Sequence, residues 1–391
     1  MVEYGDVREP NHSVDWQNVG FTPYPVNGRI QCIFTSDTGA WTEPQWIPSC
    51  HVHVHGMSPA LNYGQQAFEG LRVFRGEDGN IKLFRLAAHS ARFARSAAAV
   101  GIPAVPSALF AQAVRLAVYL NSEFVPPFGG GCSMYVRPVI FASSATMNLQ
   151  PADEYTFIVM VTPVSTLYKP VGLKALVVDG FDRTAPRGTG AFKVGSNYGP
   201  TIPVMQRARQ KGFALTLHLD SLTRSLVHEF SASGFLAVKA NPMGPGAART
   251  IVIPKDEHIL PSITVDSIAT VAESLGWQVE RREIPFKELS TFSEVYTVGT
   301  ASSMVPISTI IHESAQQCFE YDVKPSSPDS AYSQLNEALH NIKRGIDPEQ
   351  WGWVEELKAA SVKPDLARMI SLKDTTRGTN DRDARSDSVS S

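Results

Sequence analysis

Lys193 stands in GTGAFKVGSNYGP (188–200), among Gly188, Gly190, Gly195 and Ser196, with Tyr198 shortly after it. Glycines let the backbone approach a ligand closely and leave an amine little steric cover. An amine that condenses with a carbonyl must first lose its proton, which burial or a neighbouring cation favours. Carbonyl chemistry at Lys193 is one reading of the segment; a solvated lysine on a flexible loop is the other. A second pattern is YVRP (135–138), where Tyr135 and Arg137 are spaced to share one face of a strand. A third is HVHVH (51–55), in which His51, His53 and His55 alternate. That alternation predicts a strand. No acidic or cysteine partner follows at a zinc-like spacing, so no metal is expected.

The elements that must position these residues can be read from periodicity. RIQCIF (29–34) predicts a strand, and QQAFEGLRVFR (65–75), EDGN (77–80) and IKLFR (81–85) predict a hairpin. LAAHSARFARSAAAV (86–100) predicts a helix stopped by Gly101 and Pro103. Ser107 is expected to N-cap a second helix with Phe110, Val114, Ala117 and Val118 on one face. CSMYVRPVIFAS (132–143) and EYTFIVMVTPV (154–164) are β-rich. Later strands are expected at 173–179, 213–220, 235–239, 277–284 and 294–299, and helices at 201–211, 265–275 and 330–342. This predicts an N-terminal extension (1–28), a small α/β domain (29–163) and a linker at VSTLYKP (164–170). A large domain (171–357) and a C-terminal extension (358–391) complete the chain, with disorder expected from about Ser371. The expected class is α+β, with the chemistry between two domains.

Composition excludes other classes. The 391 residues carry 35 Lys plus Arg against 38 Asp plus Glu, a net charge of -3, so no basic excess points to nucleic acid. No apolar run is long enough to span a membrane. The start, MVEYGDVREPNHS, is acidic and polar, unlike a signal or transit sequence. Cys32, Cys50, Cys132 and Cys318 form no CxxC and read as reduced thiols, so a cytoplasmic protein is expected.

GQQAFEGLRVFR, YVRP, GAFKVGSNY, ILPSITVDSI and VGTASSMVPI, in that order, resemble the branched-chain amino acid aminotransferases, and fungal-type members in particular. These are class IV, pyridoxal-phosphate-dependent enzymes of the D-amino-acid-aminotransferase-like fold, fold type IV. The resemblance runs from about residue 52 to WGWVEEL (351–357). It implies a two-domain fold with pyridoxal 5'-phosphate at the domain interface. It also implies transamination of L-leucine, L-isoleucine and L-valine with 2-oxoglutarate, and a homodimer whose partner helps close the pocket. Fungal members serve amino acid metabolism or secondary-metabolite pathways, and both stay open here.

Roles follow from the resemblance position by position. Lys193 holds the cofactor covalently and moves the substrate's α-proton. Tyr198 meets the cofactor's phenolic oxygen, and Glu229 its pyridine nitrogen. A carboxylate there keeps the ring nitrogen protonated, which the cofactor needs as an electron sink. Arg92, Ile263, Thr264 and Thr300 hold the phosphate, by a bidentate guanidinium and by donors at a helix start. Tyr63, Phe68, Gly70, Tyr135 and Arg137 wall the side-chain pocket, with Arg137 receiving glutamate's distal carboxylate. Ala301 and Ser302 receive the α-carboxylate through backbone N–H groups. Ser196, Phe230 and Gly234 depart from the family pattern and bear on substrate range. A D-amino-acid or amine transaminase of the same fold is the alternative, and a protein without turnover is disfavoured by the intact Lys193, Tyr198 and Glu229. Removing the residues after Ser371 is expected to leave cofactor binding and melting temperature nearly unchanged, and a large drop in melting temperature would show that the tail packs on the body.

Overall fold

Runs of β-branched and aromatic residues gather into two sheets. The computed structural model describes residues 7–239, 249–347, 349–359 and 362. The first sheet holds β1 (Arg29–Thr35), β2 (Ala40–Trp41), β3 (Gln45–Ile47), β4 (Gln66–Phe68), β5 (Leu71–Arg75), β6 (Ile81–Phe84), β7 (Ser133–Ala142) and β8 (Glu154–Val164). It is antiparallel throughout, in the order β6-β5-β7-β8-β1-β2, with β3 on β1 and β4 on β7. Helices α1 (Pro59–Tyr63), α2 (Leu86–Ala98) and α3 (Ser107–Tyr119) accompany it. The apolar face of α3 buries Phe110, Val114 and Ala117. Phe110, Phe93 of α2 and Phe157 of β8 meet with ring centroids 5.3–6.0 Å apart. Part of the expected N-terminal extension joins this core, for Val14 is buried in it and Trp16, Val19 and Tyr24 pack against it.

The second sheet holds β9 (Leu173–Val177), β10 (Leu215–Leu219), β11 (Val227–Phe230), β12 (Ser233–Lys239), β13 (Thr250–Pro254), β14 (Gln278–Arg282), β15 (Phe292–Gly299), β16 (Ser303–His312) and β17 (Gln317–Glu320). Its order is β11-β10-β9-β16-β15-β12-β13-β14, and β11 also pairs with β12, so the sheet closes on itself as a barrel. The β11–β12 pairing closes the ring β11-β10-β9-β16-β15-β12, and β13–β14 and β17 extend beyond it. Helices α4 (Thr201–Gln210), α5 (Ile263–Ser274) and α6 (Ala331–Arg344) belong to this half of the chain. Residues 165–172 carry the chain from β8 to β9.

Several expectations are corrected. Residues 51–55 form no strand; His51, His53 and His55 are exposed in irregular chain. Alternation persists there, but it tracks a run with no partner strand. Ser107 is the first residue of α3 rather than its cap, which is Pro106. Proline is well placed at a helix start, where no intrahelical donor is lost. WGWVEEL was expected in the large domain, yet β18 (Val354–Leu357) pairs with β6 in the first sheet. Strand β16, like β11 and β13, was not among the expected strands. The expected tail disorder falls outside the described residues. Among the described residues no helix is long and apolar enough to cross a membrane.

Candidate active site

The lysine loop leaves the second sheet and docks on the first. Phe68 N–H donates to the Lys193 carbonyl at 3.0 Å, and Lys193 N–H donates to Ser96 Oγ of α2 at 2.9 Å. Ala67 and Val194 form an isolated antiparallel bridge. A Cβ at Gly195 would lie 2.5 Å from Gln66 Nε2, so a side chain there would push the Gln66 side chain of β4 aside. The amine reaches Tyr198 Oη at 3.2 Å and lies 4.6 Å from the Phe68 ring centroid. It opens on a cavity between the sheets whose lining includes Arg92, Tyr135, Arg183, Tyr198, Glu229 and Thr300.

Glu229 enters this cavity from β11 and is buried. Its Oε1 lies 3.4 Å from Arg183 Nη2 and accepts from Leu260 N–H at 3.3 Å. No hydrogen bond from the described residues reaches Oε2. Burial pushes the Glu229 carboxyl up, with Arg183, the Leu260 N–H and Lys193 opposing it. Arg183 also sits 5.3 Å from the Tyr198 ring centroid, so one cation touches both the carboxylate and the tyrosine. A Cβ at Gly234, which pairs with Glu229 across the strands, would meet Val265 Cγ2 at 2.9 Å.

The opposite end of the cavity suits an anion. Arg92 lines it from α2, while Arg95 turns away to the Ala191 carbonyl. Helix α5 starts at Ile263 behind its N-cap Ser262, whose hydroxyl accepts from Val265 N–H. Thr264 Oγ1 and Thr300 Oγ1 face each other at 3.5 Å. Arg92 is paired with Glu69, which accepts from its Nε at 2.6 Å and its Nη2 at 2.9 Å.

The turn after β15 is set from the first sheet. Arg72 of β5 donates to the Thr300 carbonyl at 2.8 Å and the Ala301 carbonyl at 2.5 Å. Peptides are planar and trans, so the N–H groups of Ala301 and Ser302 point away from Arg72. Ser302 Oγ is buried without a hydrogen-bond partner among the described residues. Gly70 and Tyr135 are in direct contact at the cavity wall, for a Cβ at Gly70 would lie 1.9 Å from Tyr135 Oη. Arg137 lies beside rather than on the cavity lining, 5.1 Å from the Phe68 ring and 5.2 Å from the Tyr135 ring. Its Nε is buried and has no hydrogen-bond partner among the described residues. Tyr63 is not brought in: it is 47% exposed and bonds the Met147 carbonyl.

Sequence reasoning missed Arg183, Arg72 and Glu69. Glu69 and Arg72 lay inside a quoted motif, and a charged residue in an apolar strand is a signal that was available. Arg183 lies in FDRTAPRG, an irregular stretch with no periodicity to raise it. The donor set fits pyridoxal phosphate: an amine for its aldehyde, a tyrosine for its phenolic oxygen, a carboxylate for its ring nitrogen, and an arginine with a helix start for its phosphate.

Comparison with known proteins agrees. Residues 66–310 match the amino-transferase class IV family. A transaminase of Alternaria alternata (AMT5) is 48% identical over 92% of this chain and 96% of the relative. A branched-chain amino acid aminotransferase of Glarea lozoyensis is 46% identical over 88% of this chain and 96% of the relative. The branched-chain amino acid aminotransferase of Escherichia coli superposes with a TM-score of 0.68 at 23% identity, covering 85% of this chain and 99% of that one. The fold is therefore fold type IV, a barrel with a half-barrel. Gly70→Ala is expected to displace Tyr135 and lower kcat/KM about tenfold or more, since a misplacement of this size is costly near chemistry. Unchanged kinetics would show that Tyr135 does not touch substrate.

Proposed function

This chain belongs to the class IV aminotransferases, and we propose that it exchanges amino groups between L-branched-chain amino acids and 2-oxoglutarate. Enzymes of this class use pyridoxal phosphate with amino acids and oxo acids. The observation that carries the finer reading is Arg137. The half-buried Arg137 guanidinium rests over the aromatic rings of Phe68 and Tyr135, with its Nη2 3.4 Å from Tyr135 Oη and its Nε without a hydrogen bond from the described residues. Phe68 also faces the Lys193 amine. Such a place offers apolar walls to a leucine side chain and a cation to a distal carboxylate. Cation–π contact lets the arginine rest when no carboxylate is present.

Bound at this site, the cofactor supplies an electron sink for the substrate's α-carbon. Lys193 Nζ is the covalent anchor and the base for the α-proton. Tyr198 Oη, hydrogen-bonded to that amine, meets the phenolic oxygen. Glu229 holds a proton at the ring nitrogen, and the nearby Arg183 opposes the upward push of burial on its carboxyl. Arg92, Thr300, Thr264 and the Ile263 end of α5 hold the phosphate. The Ala301 and Ser302 N–H groups, aimed by Arg72, take the α-carboxylate.

The protein acts as a homodimer in the cytoplasm. Supporting the dimer, Tyr63 lies exposed with Leu61, Met147 and Leu149, an apolar face that a second copy would cover. Supporting the compartment, the four cysteines are all free.

Two variants test the reading. Lys193→Ala should still fold but lose nearly all turnover and the visible band of bound cofactor. Substantial turnover with a wild-type spectrum would refute the assignment. Arg137→Met should slow the glutamate half-reaction about tenfold or more, the loss of a charge-assisted hydrogen bond, while the leucine half-reaction changes far less. Single-turnover kinetics of each half measure this, and equal losses in both would assign Arg137 a structural role.

A further inference from the structure

Glu69 has zero exposure and no role in the chemistry described above. Its Oε1 accepts from Arg92 Nε, and its Oε2 from Arg92 Nη2, Gly70 N–H at 3.1 Å and His89 Nδ1 at 2.7 Å. Burial raises the Glu69 pKa, but Arg92 and then His89 outweigh it and hold the carboxyl well below the usual range. Burial pushes His89 down against the pull of Glu69. An ionised carboxylate only accepts, so His89 Nδ1–H is the donor of this bond.

This arrangement limits what Arg92 can do. A guanidinium is planar, with its donors arranged in fixed forks. Glu69 occupies the Nε and Nη2 fork, and the Pro261 carbonyl takes Nη1 at 3.0 Å. The edge between Nη1 and Nη2 still has hydrogens to give. Turning the plane would break two charge-assisted hydrogen bonds in a dry site, which is costly. We propose that Glu69, locked by His89, is a positioning residue for the cofactor phosphate: it fixes Arg92 so that only the Nη edge faces the anion. The proposal rests on the assignment of Arg92 to the phosphate. A carboxylate serving only as counter-charge has the opposite signature. Neutralising it would leave the site more positive, and an anion would bind tighter.

The test equilibrates the full chain with graded pyridoxal phosphate or pyridoxal, which lacks the phosphate, and reads the bound fraction from absorbance. Arg92→Met should erase most of the preference for the phosphorylated form. If it does not, the phosphate assignment fails, and the proposal with it. Glu69→Gln should weaken pyridoxal phosphate about tenfold or more, as expected for a lost charge-assisted bond, and leave pyridoxal nearly unchanged. His89→Phe keeps an aromatic ring in place and removes the donor. It should give a smaller loss of the same kind, and it carries the test if Glu69→Gln does not fold. Unchanged or tighter binding of pyridoxal phosphate, or equal losses for both ligands, would overturn the role of Glu69.

Discussion

The hydrogen bond from Phe68 N–H to the Lys193 carbonyl is the constraint on which the site depends. It joins a loop of the second half of the chain to the edge strand β4 of the first. The bridge between Ala67 and Val194 and the bond to Ser96 extend the same contact. The amine is therefore held at a seam, where one sheet brings Phe68, Tyr135 and Arg72 and the other brings Glu229 and Thr300. Neither half alone carries the full set of groups. Of the glycines around Lys193, Gly195 lies against the Gln66 side chain of β4.

A seam between two cores excludes water, and that raises the stakes of every charge in it. The structure answers with pairs: Glu69 with Arg92, Glu229 with Arg183, and Arg72 against backbone carbonyls. Each arginine both neutralises or satisfies a group and fixes its direction. Buried ion pairs add little net stability, because desolvation offsets the attraction. Their value here is orientation, which a site that must distinguish two ends of one ligand requires.

Much of this was legible in the sequence, for identifiable reasons. Helix α2 had strong periodicity and clear stop signals and formed close to its expected bounds. The hairpin formed too, but its expected first strand 65–75 is split, with 66–68 pairing with β7 and only 71–75 with β6. Lys193, Tyr198, Arg92, Glu229 and Thr300 stood in ordered motifs and meet around one cavity. What escaped depended on distant contacts. Strand β18 returns to β6 from the far end of the chain, a pairing that local pattern cannot encode. The histidines of 51–55 alternate without a neighbouring strand to make the alternation matter. Arg183 and Glu69 gain their meaning only from partners far away in the chain. Tyr63 lies exposed outside the cavity.

The central claim is that one site takes leucine and glutamate in turn, with a single handedness. The most direct measurement is the visible absorption of the purified protein during addition of single amino acids. The account predicts that the band of lysine-bound cofactor is converted by L-leucine and by L-glutamate, and left unchanged by D-leucine. Conversion by D-leucine with no response to L-leucine would contradict it.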